Sequence, residues 1–100
     1  MPVVRRAFVD LSHGQIHYAT CGDATALPVL LLHQTPRSWV EYREVLPLLG
    51  QRFCAIAMDT PGFGDSAPLA GPASIEQWAA AAIELLDALS IAKAHVVGHH

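Results

Sequence analysis

Phe53-Cys54-Ala55-Ile56-Ala57-Met58-Asp59-Thr60-Pro61-Gly62-Phe63-Gly64-Asp65-Ser66 decides the fold. Its first six residues are apolar without interruption, the pattern of a strand buried on both faces of a sheet. The next eight cannot continue that strand, because Pro61 lacks an amide hydrogen and Gly62 and Gly64 invite turns. A buried strand that stops abruptly in a polar, glycine-rich loop is the signature of a parallel α/β sheet, whose functional loops follow the carboxyl ends of its strands.

Two further segments share this form. Val29-Leu30-Leu31-Leu32 runs into His33-Gln34-Thr35-Pro36, and Ala94 to Val97 runs into Gly98-His99-His100. Helical patterns lie between them. Ser38-Trp39-Val40-Glu41 has the form of a capping box, with the Ser38 hydroxyl accepting from the Glu41 amide and the Glu41 carboxylate reaching back to Ser38. Trp39, Tyr42, Val45, Leu46 and Leu49 follow at helical spacing, with Pro47 ending or distorting the helix and Gly50 a C-terminal stop. Ser74-Ile75-Glu76-Gln77 is a second such box. It opens a helix with Ile75, Trp78, Ala79, Ala82, Ile83, Leu86 and Leu89 on one face, the two alanines allowing close approach to a sheet. Upstream, Phe8 to Leu11 and Gln15 to Thr20 flank Ser12-His13-Gly14 and predict a hairpin, with a loop from Cys21 to Pro28. The order is β-β-β-α-β-α-β, which implies right-handed crossovers, a mostly parallel sheet with helices on both faces and an antiparallel hairpin at its edge.

Composition excludes several classes of function. Hydrophobic residues make up 52% of the chain and charged ones 15%, which builds a core and not a disordered segment. The net charge of −3 offers no basic patch for nucleic acid. The apolar run from Val29 to Leu32 is too short to span a bilayer, and Arg5-Arg6 is not followed by a leader-type apolar stretch. A soluble, cytoplasmic protein is expected, with Cys21 and Cys54 reduced and no disulfide framework.

The three rim segments, taken in order, resemble the α/β-hydrolase family over the whole chain. His33-Gln34-Thr35-Pro36 corresponds to the family's His-Gly-x-Pro. Asp59, Pro61, Gly62, Gly64 and Ser66 match its Asp-x-Pro/Arg-Gly-x-Gly-x-Ser, and Val96-Val97-Gly98-His99 leads into its nucleophile turn, Gly-x-nucleophile-x-Gly. The resemblance implies that residues 1–100 form the N-terminal part of one α/β-hydrolase domain, incomplete in these 100 residues and inactive by itself. It further implies a hydrolase acting on a small, largely apolar ester-like substrate without metal or organic cofactor. His100 takes the reacting position, and His33, Gln34, Thr35 and His99 belong to the oxyanion and substrate-binding set. The Thr35 amide and the amide just past the turn would hold the oxyanion. In the family's strand order the second strand pairs with the fourth, so Cys21 and Cys54 would be near neighbours.

Two departures bear on function. Gln34 replaces a glycine and would need a backbone angle that glycine takes freely. His100 stands where Ser, Asp or Cys is usual, which argues against the usual epoxide and halide chemistries. A neutral imidazole can attack as a nucleophile or activate water as a general base. Loss of ordinary esterase chemistry ranks above a covalent histidine intermediate, and a ligand-binding protein on a hydrolase scaffold is the alternative.

The remaining residues carry plainer expectations. Asp59 organises its loop, His33 either caps a strand end or meets substrate, and His95 packs in a strand. His13 and His17 are exposed on the hairpin, while Trp39 and Trp78 pack in the core. Phe63 lines the pocket or packs beneath the loop. No carboxylate or cysteine stands at ligand spacing beside His99-His100, so no metal site is implied. Gly62-Phe63-Gly64-Asp65-Ser66-Ala67 imitates a dinucleotide fingerprint, but Pro68, Gly71 and Pro72 interrupt the helix that would have to follow at once. Oligomeric state is left open.

Overall fold

The computed structural model describes residues 2–100. Five strands, β1 (Arg5–Leu11), β2 (Gly14–Cys21), β3 (Leu27–Leu32), β4 (Phe53–Met58) and β5 (His95–Gly98), form one sheet in the order β1-β2-β4-β3-β5. β3, β4 and β5 are parallel, and the β1–β2 hairpin joins antiparallel through β2 against β4. Leu11 faces Gly14 across the two-residue loop Ser12-His13. β3 starts at Leu27, so Pro28 lies inside it. The proline is tolerated near the strand start, before pairing with β5 begins at Val29.

Side chains alternate across β4 and divide the core in two. Ala55 and Ala57 join Ala19, Cys21, Val29 and Leu31 on one face, under Trp39, Tyr42 and Leu46. Cys54, Ile56 and Met58 join Ile16 and Leu30 on the other, under Ala81, Ala82 and Leu85 of α2 (Ile75–Ala88). The expected helices on both faces are therefore present. The same alternation separates the two free cysteines. They are close in register, since Cys21 faces Ala55, but their side chains enter opposite cores. Burial pushes both thiols above the ordinary cysteine value.

The segment after β3 differs from the single helix expected over residues 39–49. It forms a 3-10 turn at Trp39–Tyr42 and one α-helical turn, α1, at Leu46–Leu49. Pro47 sits in the first turn of α1, where its missing N–H costs nothing, and thus begins a helix instead of ending one. The Ser38 box forms only in part: the Ser38 hydroxyl accepts from Val40 at 3.3 Å, and the Glu41 carboxylate is engaged elsewhere. Ser74 does cap α2, accepting from the Gln77 amide at 3.2 Å. The buried face of α2 is rotated from the expected one. Ala81, Ala82 and Leu85 meet the sheet, while Ile75, Ala79 and Ile83 are exposed.

Candidate active site

The three rim segments meet. Leu32 pairs with Met58 on one side and with Gly98 on the other, so His33, Asp59 and His99 all begin at the same level of the parallel layer. The His99 amide donates to the Leu32 carbonyl at 3.2 Å and carries the β3–β5 ladder one step further. Beside this rim, on the α2 face, opens a hollow of about 230 Å³. Leu32, Met58, Ile75, Trp78, Ala79 and Ala82 give it apolar walls, and His33, Thr35 and Thr60 supply its polar groups.

His33 is buried and both its ring nitrogens are committed. Nε2 accepts from the Thr60 amide at 3.1 Å, so in the neutral ring the proton is on Nδ1, which donates to the Gln34 carbonyl at 3.0 Å. It thereby ties the loop after β3 to the loop after β4, with Phe63 edge-on at 5.8 Å. Phe63 in turn meets Trp78 at 6.0 Å, beneath the wall of the hollow.

Gln34 takes an ordinary backbone angle: among the described residues Ser90 is the one non-glycine with positive φ. The expected need for a glycine-like conformation is therefore absent. The Gln34 amide donates to Glu41 Oε1 at 3.0 Å. The Thr35 amide, next in the chain and beside the hollow, has no protein acceptor among the described residues. The peptide bond from Thr35 to Pro36 is cis.

Glu41 also pairs with His99. Its Oε2 receives the Nδ1 side of the imidazole, and Arg37 Nε stands 3.9 Å from Oε1. Burial acts to raise the Glu41 carboxyl, but the Gln34 amide, the His99 bond and the positive charges of His99 and Arg37 outweigh it and hold the group below its ordinary value. Neighbouring Tyr42 donates to the Leu32 carbonyl at 2.8 Å, and burial, aided by the Glu41 charge, raises its hydroxyl.

The loop after β4 is built around Asp59, as its composition suggested. Oδ1 accepts from the Trp39 amide at 2.8 Å, and Oδ2 accepts from the Asp65 amide at 3.0 Å and from His17 Nδ1 at 2.9 Å. His17 is buried, contrary to the expected exposed position, because β2 lies inside the sheet between β1 and β4. Its Nε2 accepts from Arg6 Nε at 3.0 Å, while the same guanidinium pairs with Asp65 at 2.7 Å and lies over the Trp39 ring. His17, Asp59 and Asp65 come close enough together to suggest a cation site. Their donor atoms, however, are already engaged by the Arg6 guanidinium, by amides and by one another.

Of the residues singled out in the sequence, His33 and Thr35 line the hollow. Gln34 and His99 stand behind its rim on Glu41. His100 is exposed just past Gly98 and makes no hydrogen bond to a described residue. His95 is exposed and not packed as expected. Glu41, Thr60 and Trp78 were not anticipated at the site. The sequence pattern reads Glu41 as a local cap, and no sequence signal places it at the rim.

This architecture is that of the α/β hydrolases. The alpha/beta hydrolase fold family model matches residues 28–99, and the chain belongs to that family. It is 40% identical over 86 residues to the soluble epoxide hydrolase of Corynebacterium sp. (strain C12), covering 85% of this chain and 29% of that protein. It is 32% identical over 100 residues to 2-hydroxy-6-oxononadienedioate/2-hydroxy-6-oxononatrienedioate hydrolase 1 of Dechloromonas aromatica (strain RCB), covering 92% of this chain and 35% of that protein. The solved structure of the epoxide hydrolase CorEH without ligand superposes with a TM-score of 0.91 at 33% identity, over 97% of this chain and 34% of that one. The chain thus spans about a third of the length of these relatives. Among the described residues no helix is long and apolar enough to cross a membrane.

Proposed function

We propose that this protein is a hydrolase of small, largely apolar, ester-like substrates, with His100 at the position the fold reserves for its nucleophile. The observation that carries this reading is the unpartnered Thr35 amide beside a hollow with apolar walls, at the level where three parallel strands end. An acyl group seated in the hollow would present its carbonyl oxygen to that amide, and a second amide would come from just past the Gly98 turn. Each such donor is worth roughly 3–4 kcal/mol in the barrier, because it stabilises charge that develops only in the transition state. His100 would attack the carbonyl carbon, breaking the ester bond so that the alcohol leaves with a proton from water and an acyl-imidazole remains for water to hydrolyse, or it would take a proton from a water attacking that carbon and pass it to the departing alcohol oxygen. Every step uses backbone amides and side chains of the protein. Aspartate is absent from the reacting position, which favours esters over the epoxides named for two of the relatives. The same reading has residues 1–100 as part of one α/β-hydrolase domain acting in the cytoplasm.

A panel of p-nitrophenyl esters of increasing acyl length, given to the whole protein of which residues 1–100 are part, tests it. Turnover of the short esters, lost in His100→Ala, is the expected result; hydrolysis unchanged in that variant would reject the role of His100.

A second reading, a ligand-binding protein on a hydrolase scaffold, draws on histidine standing at position 100 in place of a standard nucleophile. It expects ligand affinity that survives His100→Ala and no turnover. Calorimetric heat of continuous turnover from the native protein would dismiss it.

A further inference from the structure

We propose that Glu41 is a positioning residue that ties the oxyanion loop to the turn after β5, holding the Gln34-Thr35 amides and His99 at a fixed separation across the rim. The role rests on the hydrolase reading above and extends it to a residue outside the three rim motifs.

The geometry divides the carboxylate between two elements. Oε1 accepts the Gln34 amide of the loop after β3, and Oε2 holds the Nδ1 side of His99 after β5. The Glu41 side chain is only 10% exposed, so its charge is little screened, whereas the His99 ring is 52% exposed. The next residue, Tyr42, bonds the Leu32 carbonyl at the end of β3 from the same 3-10 turn. Two consecutive side chains of one turn therefore grip both strands that flank the reacting position.

Among the described residues the turn after β5 is held at two points. All four residues of β5 are exposed, and Gly98 has no neighbour within 4 Å of where a side chain would begin. Past Gly98, the anchors are the His99 amide on Leu32 and the His99 ring on Glu41. His99 directly precedes His100, so fixing its ring fixes the backbone that carries the reacting imidazole. His99 follows Val97 onto the sheet face of Trp39 and Tyr42, away from the hollow on the α2 face. It is thus placed to orient the site and not to touch substrate. The charged or titratable groups facing the pair are Arg37 from the loop, Tyr42 from the turn and the pair itself.

Histidine-resolved NMR of the ring nitrogens, read together with ester kinetics of the whole protein, tests the tie. Glu41→Gln keeps an oxygen for the Gln34 amide and removes the charge; Glu41→Ala removes both; Glu44→Gln, one position past Arg43 and exposed, controls for net charge. Both Glu41 variants are expected to move the His99 ring-nitrogen resonances, because the ring loses its carboxylate partner. In Glu41→Ala kcat should fall by about 100-fold with KM little changed, the scale expected when reacting groups are misplaced by ~1 Å, and Glu41→Gln should recover part of the loss. Glu44→Gln should match the native protein in both readouts. His99 ring-nitrogen resonances identical in Glu41→Ala and native protein would overturn the tie, as would moved resonances with native kcat. If the native protein hydrolyses no ester while the His99 resonances move as expected, the hydrolase reading fails and the structural tie stands.

Discussion

His17 Nδ1 lies 2.9 Å from Asp59 Oδ2, with the two side chains 1% and 0% exposed. This pair joins an inner strand of the hairpin to the loop that follows β4. Asp59 spends both oxygens there, on the Trp39 and Asp65 amides as well as on His17. Asparagine would offer one acceptor in place of two and turn an N–H group toward donors. Asp59→Asn should therefore cost about 2 kcal/mol or more, the scale for leaving buried donors without their acceptor. Asp65→Asn, which removes an ion pair about half exposed on both sides, should cost no more than about 1 kcal/mol. Urea unfolding of the two variants checks the ranking; equal midpoints would refute the central role given to Asp59.

The same carboxylate explains a glycine. Gly64 has φ +52°, and a Cβ there would sit 2.2 Å from Asp59 Oδ2 and 2.3 Å from its Cγ. Asp59 cannot withdraw without releasing its amide donors, so Gly64→Ala combines backbone strain with a steric clash. Gly71 also has a positive φ, +145°, but nothing lies within 4 Å of its Cβ position. Thermal unfolding should show Gly64→Ala well below Gly71→Ala in midpoint. If the two variants melt together, strain alone accounts for both and the packing of Gly64 on Asp59 has no weight.

Strands were the most legible part of the molecule, because a strand buried on both faces needs an uninterrupted apolar run, and β4 ends where Phe53 to Met58 ends. The start of α2 was legible from Ser74 for a local reason, its hydroxyl facing an otherwise unpaired amide. What escaped the sequence was set by tertiary partners. Glu41 satisfies the capping pattern, yet a rim amide and His99 compete for its carboxylate and win. His17 reads as a polar residue on a hairpin, and it is buried only because β2 lies between β1 and β4. In α2, Ile75 and Ile83 share a stripe with Ala79, but the sheet meets the Ala81-Ala82-Leu85 side. The rim segments were visible as motifs. The hollow's Trp78 and Thr60 were not, since nothing local tells a helix start which way its ring will face.

Glu84 on α2 holds the hairpin loop with both oxygens, Oε1 on the Ser12 amide at 3.0 Å and Oε2 on the Ser12 hydroxyl at 2.8 Å. The amide bond first, then the hydroxyl, with the His13 charge as a smaller aid, hold its carboxyl below the ordinary value against a slight burial penalty. A carboxyl depressed by folding contributes stability above its unfolded pKa, about 4.3, and loses it as pH falls through the lower folded value. The midpoint difference between native protein and Glu84→Gln should thus be constant above about pH 6 and shrink as pH falls below the unfolded value. The contact is exposed, so the difference will be small. A difference that grows toward acid pH has the wrong sign and would remove Glu84 from this role.

β5 pairs with β3 on one side, and its other edge has no strand beside it among the described residues. Val96 and Val97 on that edge are 59% and 46% exposed, and Ile75 and Ile83 add apolar surface on α2. An open edge of this kind presents unpaired amides and carbonyls to any similar strand, and exposed valines favour the pairing. The 100-residue chain expressed by itself is therefore expected to associate, with a sedimentation coefficient that rises with concentration. Replacing Val96 and Val97 together by lysine should shift it toward monomer, because charged side chains on an edge oppose strand addition. Sedimentation velocity on both forms decides the matter. A native 100-residue chain that stays monomeric at every concentration and melts in one sharp transition would show that this edge needs no cover.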